Sequence, residues 1–216
     1  MSTFPVVQCL TMDGLALPHE AQVRALCDAG AESVQLRMKS AGDEAVAAVA
    51  SACLPVCRDA GCRLIINDRV HVALRVGADG VHLGKRDMPW EEAAALIDGR
   101  LSLGGTVNSV ADAERAAASG VLDYVGVGPF RFTHTKQNLA AVLTPEDWRA
   151  ILTTLGSIPA YAIGGIGVAD VAAIRALGCA GIAVCSQLYR AGAIQENYDN
   201  FTDVWNHTGA VFELER

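Results

Sequence analysis

A short stretch near the middle of the chain carries the residues best suited to bind an anion. Residues 128–139 read GPFRFTHTKQNL and follow a short apolar run, so the Gly-Pro pair marks a loop that starts where a strand stops. Thr133, Thr135 and Lys136 stand close together in this loop, and two hydroxyl groups beside an ammonium group could bind a phosphate. A T-x-T-K motif by itself is more often a solvated surface turn, so the rest of the chain must decide between the two interpretations.

Two aspartates could hold a metal ion. Asp68 follows an apolar run in IINDR, and Asp87 follows the next such run in GVHLGKRD. Carboxylates from neighbouring strand ends could converge on one Mg²⁺, which prefers a few carboxylates together with water and phosphate oxygens. Each aspartate also has a helix-capping interpretation, since Asp68 precedes a predicted helix at 69–76 and Asp87 lies shortly before Pro89 at another helix start.

Gln35, Arg37 and Lys39 alternate along another polar stretch. In an extended segment every second side chain points to the same face, so these three could bind one phosphorylated ligand. Arg37 and Lys39 could instead pair with carboxylates at the mouth of the fold. Such pairing accounts for one cation more readily than for the trio, so a ligand-binding face is the favoured interpretation.

Two further segments have the composition of phosphate-binding loops. Gly165 lies in IGGI, and Cys185 and Ser186 follow the apolar run GIAV. Glycine lets the backbone approach a ligand closely, and backbone N–H groups at a helix start can hold a phosphate. We expect His82 to be a hydrogen-bonded interior histidine, and we assign neither it nor His134 to catalysis.

Short β-rich runs alternate with alanine-rich helical runs along the chain. Strands are predicted at residues 6–11, 33–37, 63–66, 80–83, 101–104, 123–127, 160–163 and 181–184. Helices are predicted at residues 19–29, 43–60, 69–76, 89–97, 109–119, 145–154, 168–177 and 198–206. This pattern, without a linker, predicts one α/β domain over residues 1–216, a single TIM (β/α)8 barrel. An open doubly wound sheet is the alternative, but the turn MDGL at 12–15 matches its dinucleotide-binding fingerprint poorly.

The predicted barrel accounts for the distribution of polar residues. Sites in such barrels form at the carboxyl ends of the strands, and polar, charged or glycine residues follow nearly every predicted strand, including Asn67 and Thr106. The predicted helix ends also fit a barrel. A glycine, which is suited to a left-handed cap, stands between a predicted helix and the next strand at Gly30, Gly61, Gly77, Gly120 and Gly178. This placement favours the ligand-binding interpretation of the 128–139 loop.

Composition excludes several classes of function. The chain of 216 residues has a net charge of −7 and a pI near 5.2, which argues against nucleic acid or an anionic membrane as a partner. We expect no membrane span and no signal peptide, because no run approaches 18 apolar residues and the N-terminus lacks the required pattern. The seven cysteines favour free thiols in a reducing cytoplasm, with the cluster at Cys53, Cys57 and Cys62 filling the core. A homo-oligomer is compatible with the sequence but not specified by it.

Together these segments resemble thiamine-phosphate synthase, also called thiamine-phosphate pyrophosphorylase. The resemblance rests on VQLRMK (34–39), IINDRVHVALRVGADGVHLGKRDMP (65–89), DYVGVGPFRFTHTK (123–136), AIGGI (162–166) and GIAVCSQL (181–188). The combination of N-D-R, G-V-H-L-G with a following Asp, G-P-x-x-x-T-x-T-K and I-G-G-I makes it specific, whereas the single pieces do not.

The resemblance implies a Mg²⁺-dependent enzyme that joins 4-amino-5-hydroxymethyl-2-methylpyrimidine diphosphate to a thiazole phosphate, giving thiamine phosphate and pyrophosphate. By position, the resemblance assigns the pyrimidine diphosphate to Gln35, Arg37, Lys39 and Asn67, and Mg²⁺ to Asp68 and Asp87. It assigns the thiazole phosphate to Thr133, Thr135, Gly165, Cys185 and Ser186. Thr106 would contact the pyrimidine and Lys136 the leaving diphosphate, so the catalytic residues would be Arg37, Thr106 and Lys136.

Two alternatives share the barrel. A thiazole tautomerase relative would keep the phosphate loops without the diphosphate and metal residues, so the intact set of Asp68, Asp87 and Lys136 favours the synthase. A non-catalytic, phosphate-binding regulatory barrel would have no need to ionise its ligand, which also makes that set hard to explain.

Overall fold

Eight parallel strands pair in chain order and close on themselves in the computed structural model, which describes residues 5–132 and 140–208. The strands are β1 (Val7–Leu10), β2 (Ser33–Leu36), β3 (Arg63–Asn67), β4 (Gly80–Leu83), β5 (Ser102–Val107), β6 (Tyr124–Val127), β7 (Ala160–Ile163) and β8 (Gly181–Val184). Pairing of Val7 with Ile182 and of Cys9 with Val184 joins β1 to β8. The predicted TIM-barrel fold is confirmed.

Helices between the strands cover the outside of the barrel. They are α1 (His19–Asp28), α2 (Asp43–Asp59), α3 (Val70–Val76), α4 (Trp90–Ile97), α5 (Val110–Ser119), α6 (Pro145–Leu155), α7 (Val171–Ala176) and α8 (Ile194–Thr208). Two 3-10 helices lie at Val168–Asp170 and Ser186–Gly192. The five glycines predicted to end helices all have positive φ, between 62° and 92°. A side chain at these positions would strain the backbone, so the glycines fix where each helix turns into the next strand.

Three predicted boundaries are wrong. The helix predicted at 168–177 is divided into a 3-10 turn and α7, and α8 begins at Ile194 rather than at 198. Strand β5 continues to Val107, so Thr106 lies within it. The double glycine of β5 weakens its strand signal in the sequence, but packing requires it: a Cβ on Gly105 would lie 2.9 Å from Leu122.

A chain of hydrogen-bonded polar side chains crosses the barrel interior. Gln35 donates to Gln8 over 3.1 Å, and Gln8 donates to the Tyr124 hydroxyl over 3.2 Å. His82 continues the chain, with Nδ1 3.3 Å from the Tyr124 hydroxyl and Nε2 3.1 Å from the Thr106 hydroxyl. His82 is therefore a hydrogen-bonded interior histidine, as expected. Because the chain links side chains of β1, β2, β4 and β6 to Thr106 on β5, it fixes that hydroxyl relative to the rest of the barrel.

The cysteines agree with an expectation from composition. All seven cysteines lie in the described parts of the chain, and all are free thiols. Among the helices of those same parts, none combines the length and apolar character that a membrane crossing requires.

The barrel interior should not tolerate a side chain at Gly104. A Cβ there would lie 2.3 Å from Tyr124 and 2.6 Å from His82. We expect Gly104→Ala to lower the free energy of unfolding by at least about 2 kcal/mol, because both rings would have to move within a packed interior. Urea denaturation measures this loss. Gly42→Ala is the matched control, since nothing lies within 4 Å of a Cβ at that position. Equal stability of the two variants would contradict the packing described.

Candidate active site

A pocket that encloses about 820 Å³ of space, part of it open solvent, lies at the carboxyl ends of the strands. It is lined by five of the residues predicted from the sequence, namely Arg37, Thr106, Gly165, Cys185 and Ser186. These residues follow or end four different strands, so only barrel closure brings them together.

One wall of the pocket forms where the segment after β6 meets the segment after β7. Phe130 N donates to Ile163 O over 2.9 Å, and Arg131 N donates to Gly164 O over 2.8 Å. Gly165 has a φ of 68°, and a Cβ there would lie 2.7 Å from a carbonyl oxygen of the facing segment. The glycine pair is thus required by the close approach of two backbones, which leaves the pocket wall rich in peptide groups.

Two side-chain contacts that were not expected from the sequence hold the same wall. Arg131 Nε donates to Asp170 over 2.8 Å, and Asp170 also accepts from Gly167 N at the start of the 3-10 turn. Asn108, which lines the pocket, donates to Gly128 O over 2.5 Å. Arginine, asparagine and aspartate are common in surface loops, so no motif distinguishes these residues before the fold is known.

Asp68 and Asp87 lie together beside Lys39. Lys39 Nζ forms an ion pair with Asp68, so pairing with a carboxylate is correct for this one cation. Asp87 accepts from Gly84 N over 2.6 Å, which closes the turn after β4. Neither aspartate caps a helix, since the residues at the helix starts are Arg69 and Pro89 and neither start has a side-chain capping bond. The capping interpretations are wrong for both.

The pKa values of Asp68 and Asp87 are shifted because the two carboxyl groups lie close together and are partly buried. Burial and a hydrogen bond with Asp68 raise the pKa of Asp87 to about 6. Burial also opposes ionisation of Asp68, but hydrogen bonds with Lys39 and Asp87 hold the pKa of Asp68 below its usual value. Asp68 is therefore the first of the two carboxyl groups to ionise as the pH rises, and a bound cation would favour ionisation of both.

Gln35, Arg37 and Asn67 differ in their surroundings. Gln35 is committed to the interior hydrogen-bond chain through Gln8. The Arg37 guanidinium has no ion pair within residues 5–132 and 140–208, and it lines the pocket. Asn67 is 5% exposed at the end of β3, and its Nδ2 has no hydrogen-bond partner among the described residues. A buried amide N–H₂ without a partner is costly, so it marks a position where a ligand acceptor would be favourable.

The loop after β1 also positions this region, which the sequence did not indicate. The buried Thr11 hydroxyl accepts from Arg37 N over 2.9 Å, and Asp13 accepts from Lys39 N over 2.9 Å. His19 lies between them, 2.9 Å from Thr11 and 3.0 Å from Asp13. These three side chains fix the backbone that carries Arg37 and Lys39. Polar residues follow β1 as they follow the other strands, and this pattern could have identified the three residues from the sequence.

Thr133, Thr135, Lys136 and His134 lie outside the described residues. The structure describes the two ends of their loop, at 132 and 140, and Ala140 lines the pocket. Their proposed contacts with phosphate and diphosphate stay predictions.

The fold and the pocket define a (β/α)8-barrel protein with a small-molecule site at the carboxyl ends of its strands. Residues 9–188 match the family model for thiamine monophosphate synthase, and the chain belongs to this family.

Individual relatives agree with this membership. Thiamine-phosphate synthase of Bacteroides fragilis is 42% identical over 172 residues, covering 78% of this chain and 84% of the relative. That of Herpetosiphon aurantiacus is 45% identical over 171 residues, covering 79% and 81%. The solved structure of thiamine phosphate pyrophosphorylase from Pyrococcus furiosus superposes with a TM-score of 0.83 at 30% identity, covering 94% of this chain and 96% of that one.

Thr11 should contribute to stability through its hydroxyl group. Thr11→Val keeps the shape of the side chain but leaves Arg37 N without its acceptor, so we expect the free energy of unfolding to fall by about 1–3 kcal/mol. Thr153→Val is the control, because Thr153 is an exposed threonine on α6. Chemical denaturation of both variants measures the difference. If Thr11→Val is as stable as the control, the hydroxyl is not a structural acceptor.

Proposed function

We propose that this protein is a thiamine-phosphate synthase that joins 4-amino-5-hydroxymethyl-2-methylpyrimidine diphosphate to a thiazole phosphate and releases pyrophosphate. The observation that carries the proposal is the convergence of Asp68, Asp87 and Lys39 beyond the carboxyl ends of β2, β3 and β4, at the same end of the barrel as the pocket lined by Gly164 and Gly165. Such an arrangement offers a metal-binding and cationic end for a diphosphate and a separate peptide-lined end for a phosphate. Membership of the thiamine monophosphate synthase family supports the same assignment.

Asp68 and Asp87 fit a Mg²⁺ ion. Asp68 and Asp87 offer hard carboxylate oxygens within hydrogen-bonding reach of each other. Burial and the neighbouring Asp68 raise the pKa of Asp87, as expected where two carboxyl groups are held close together. When bound there, Mg²⁺ supplies charge neutralisation on the diphosphate oxygens.

Departure of pyrophosphate is the step that these residues assist. As the C–O bond of the pyrimidine diphosphate breaks, both bonding electrons leave with pyrophosphate and a methylene cation remains on the ring. The Arg37 guanidinium lines the pocket without an ion pair among the described residues, and Lys39 can exchange Asp68 for an oxygen of the leaving group. Preorganised cations lower the barrier because they stabilise charge as it develops. The thiazole nitrogen then donates its electron pair to the methylene carbon.

Recognition of the pyrimidine falls to polar groups between these two ends. The Thr106 hydroxyl lies within hydrogen-bonding distance of His82, and the Asn67 amide N–H₂ has no hydrogen-bond partner in the part of the chain that the structure describes. Thr133, Thr135 and Lys136 would complete the phosphate and diphosphate contacts from the adjoining loop. We further propose a cytoplasmic location, because seven free thiols fit a reducing compartment.

A two-substrate assay tests the reaction. The purified protein with both substrates and Mg²⁺ should release pyrophosphate and form thiamine phosphate, measured by a coupled pyrophosphate assay and by chromatography. Omission of the thiazole phosphate should abolish thiamine phosphate formation. If no product forms at high enzyme concentration while a thiazole carboxylate tautomer is isomerised, the protein acts as a tautomerase instead.

The metal assignment predicts the behaviour of one substitution. Asp87→Ala should lower Mg²⁺-dependent kcat by at least about 100-fold, because half of the carboxylate pair is lost from the leaving-group site. Circular dichroism should show a native fold. Asp98→Ala changes an exposed aspartate at the end of α4 and should keep full activity. Unchanged turnover of Asp87→Ala would remove Asp87 from the metal site.

A further inference from the structure

Three cysteines meet at the end of the barrel opposite to the pocket. Cys27 is in the last turn of α1, Cys57 is in the last turn of α2, and Cys62 directly precedes β3. Because α1 and α2 end where β2 and β3 begin, these residues lie at the amino-terminal end of the strands. Sequence spacing grouped Cys57 and Cys62 with Cys53, but in the structure Cys27 takes the place of Cys53 in the cluster.

The three sulfur atoms have a compact and braced geometry. All lie within 4.8 Å of one another, and the Sγ atoms of Cys27 and Cys57 are 3.9 Å apart. All three residues are buried, with exposed fractions of 7% for Cys27, 0% for Cys57 and 4% for Cys62. Cys62 N donates to Cys57 O over 2.8 Å, and Gly61 N donates to Arg58 O over 3.1 Å. This pattern closes the end of α2 and fixes two of the three thiols relative to each other.

The separations match those of a metal–thiolate site. With metal–sulfur bonds of about 2.3 Å, the sulfur atoms of a planar three-coordinate site lie about 4 Å apart. The observed separations need shifts of less than about 1 Å to reach this value, which side-chain rotation can supply. We propose that Cys27, Cys57 and Cys62 bind one soft, thiophilic metal ion of low coordination number, of the Cu(I) class.

The donor set explains the choice of ion. Thiolate ligands select soft ions such as Cu(I) and Zn²⁺, and structural Zn²⁺ sites take four protein ligands. The cluster supplies three sulfurs, and among the described residues no histidine or carboxylate joins it. Three buried sulfurs without a fourth ligand suit an ion that is stable with three.

Packing alone does not account for the cluster. A helix end of this type often has an apolar contact between the positions of Cys57 and Cys62, and aliphatic side chains would fill it as well. Cys27 comes from a different helix and adds the third sulfur. The turn at 58–61 between Cys57 and Cys62 is exposed, so its local opening gives an ion access to the buried thiols.

Competition with a chromophoric Cu(I) chelator tests the proposal on the full-length, reduced protein under anaerobic conditions. The protein should withdraw one Cu(I) per chain. Cys57→Ala and Cys62→Ala should each weaken binding by at least about 100-fold, since loss of a ligand should cost more than loss of a group that only orients one. Cys53→Ala is the matched control: Cys53 is a buried cysteine one turn earlier on α2 that lies outside the cluster, and this variant should bind Cu(I) like the parent.

X-ray absorption at the copper edge gives a second measurement that does not depend on any variant. It should show three Cu–S contacts and no nitrogen or oxygen ligands. A stoichiometry far below one, equal Cu(I) affinity of folded Cys57→Ala or Cys62→Ala and the parent, or tighter binding of Zn²⁺ than of Cu(I) by these thiols would each overturn the proposal.

Discussion

The pairing of β8 with β1 is the constraint on which the rest of the structure depends. Through it, the ends of eight parallel strands form a ring, and residues as far apart as Thr11 and Ser186 reach the same pocket region. A parallel strand pair has no short connection, so each strand needs a covering helix and each helix must turn back at a defined residue. The left-handed glycines at the helix ends satisfy this requirement. The positions of the site residues therefore follow from the closure of the barrel together with the turns at the helix ends.

Polar side chains lie at two levels of the barrel, one in the interior and one nearer the solvent, and they differ in whether they have hydrogen-bond partners. The interior chain from Gln35 to Thr106 is satisfied by its own members and gives a rigid floor. Nearer the solvent, Arg37 and the Asn67 amide lack partners in the described parts of the chain, and Asp68 is neutralised by only one exposed lysine. Satisfied groups stabilise the fold, whereas unsatisfied ones raise its free energy and lower that of a complex with a ligand that pairs with them. A chain with a net charge of −7 thus presents cationic and donor groups where an anionic substrate would bind.

The two ends of the barrel also differ in the kind of chemistry that their side chains can support. The carboxyl ends of the strands collect hard oxygen donors and cations, while the amino ends hold a group of buried sulfurs. The oxygen donors lie in loops that remain in contact with solvent, and the sulfurs are sealed beneath helix ends. Hard ions that keep water ligands suit the first environment, and soft ions that lose all their water suit the second.

The sequence by itself determined the barrel, most element boundaries and the residues that follow each strand, because alternating apolar periodicity and helix-ending glycines are local signals. It also marked Asp68, Asp87, Arg37 and Gly165, since their motifs are local. Only the tertiary structure decided which hydrogen bonds these residues make: that neither aspartate caps a helix, that Lys39 pairs with Asp68, and that Thr11 and Asp13 hold the segment from Arg37 to Lys39. It likewise showed that Cys27 rather than Cys53 completes the sulfur cluster. The contacts of Thr11, Asp13, Lys39 and Cys27 join residues 26 to 35 positions apart. They therefore depend on the packing of neighbouring strands and helices, which no short motif encodes.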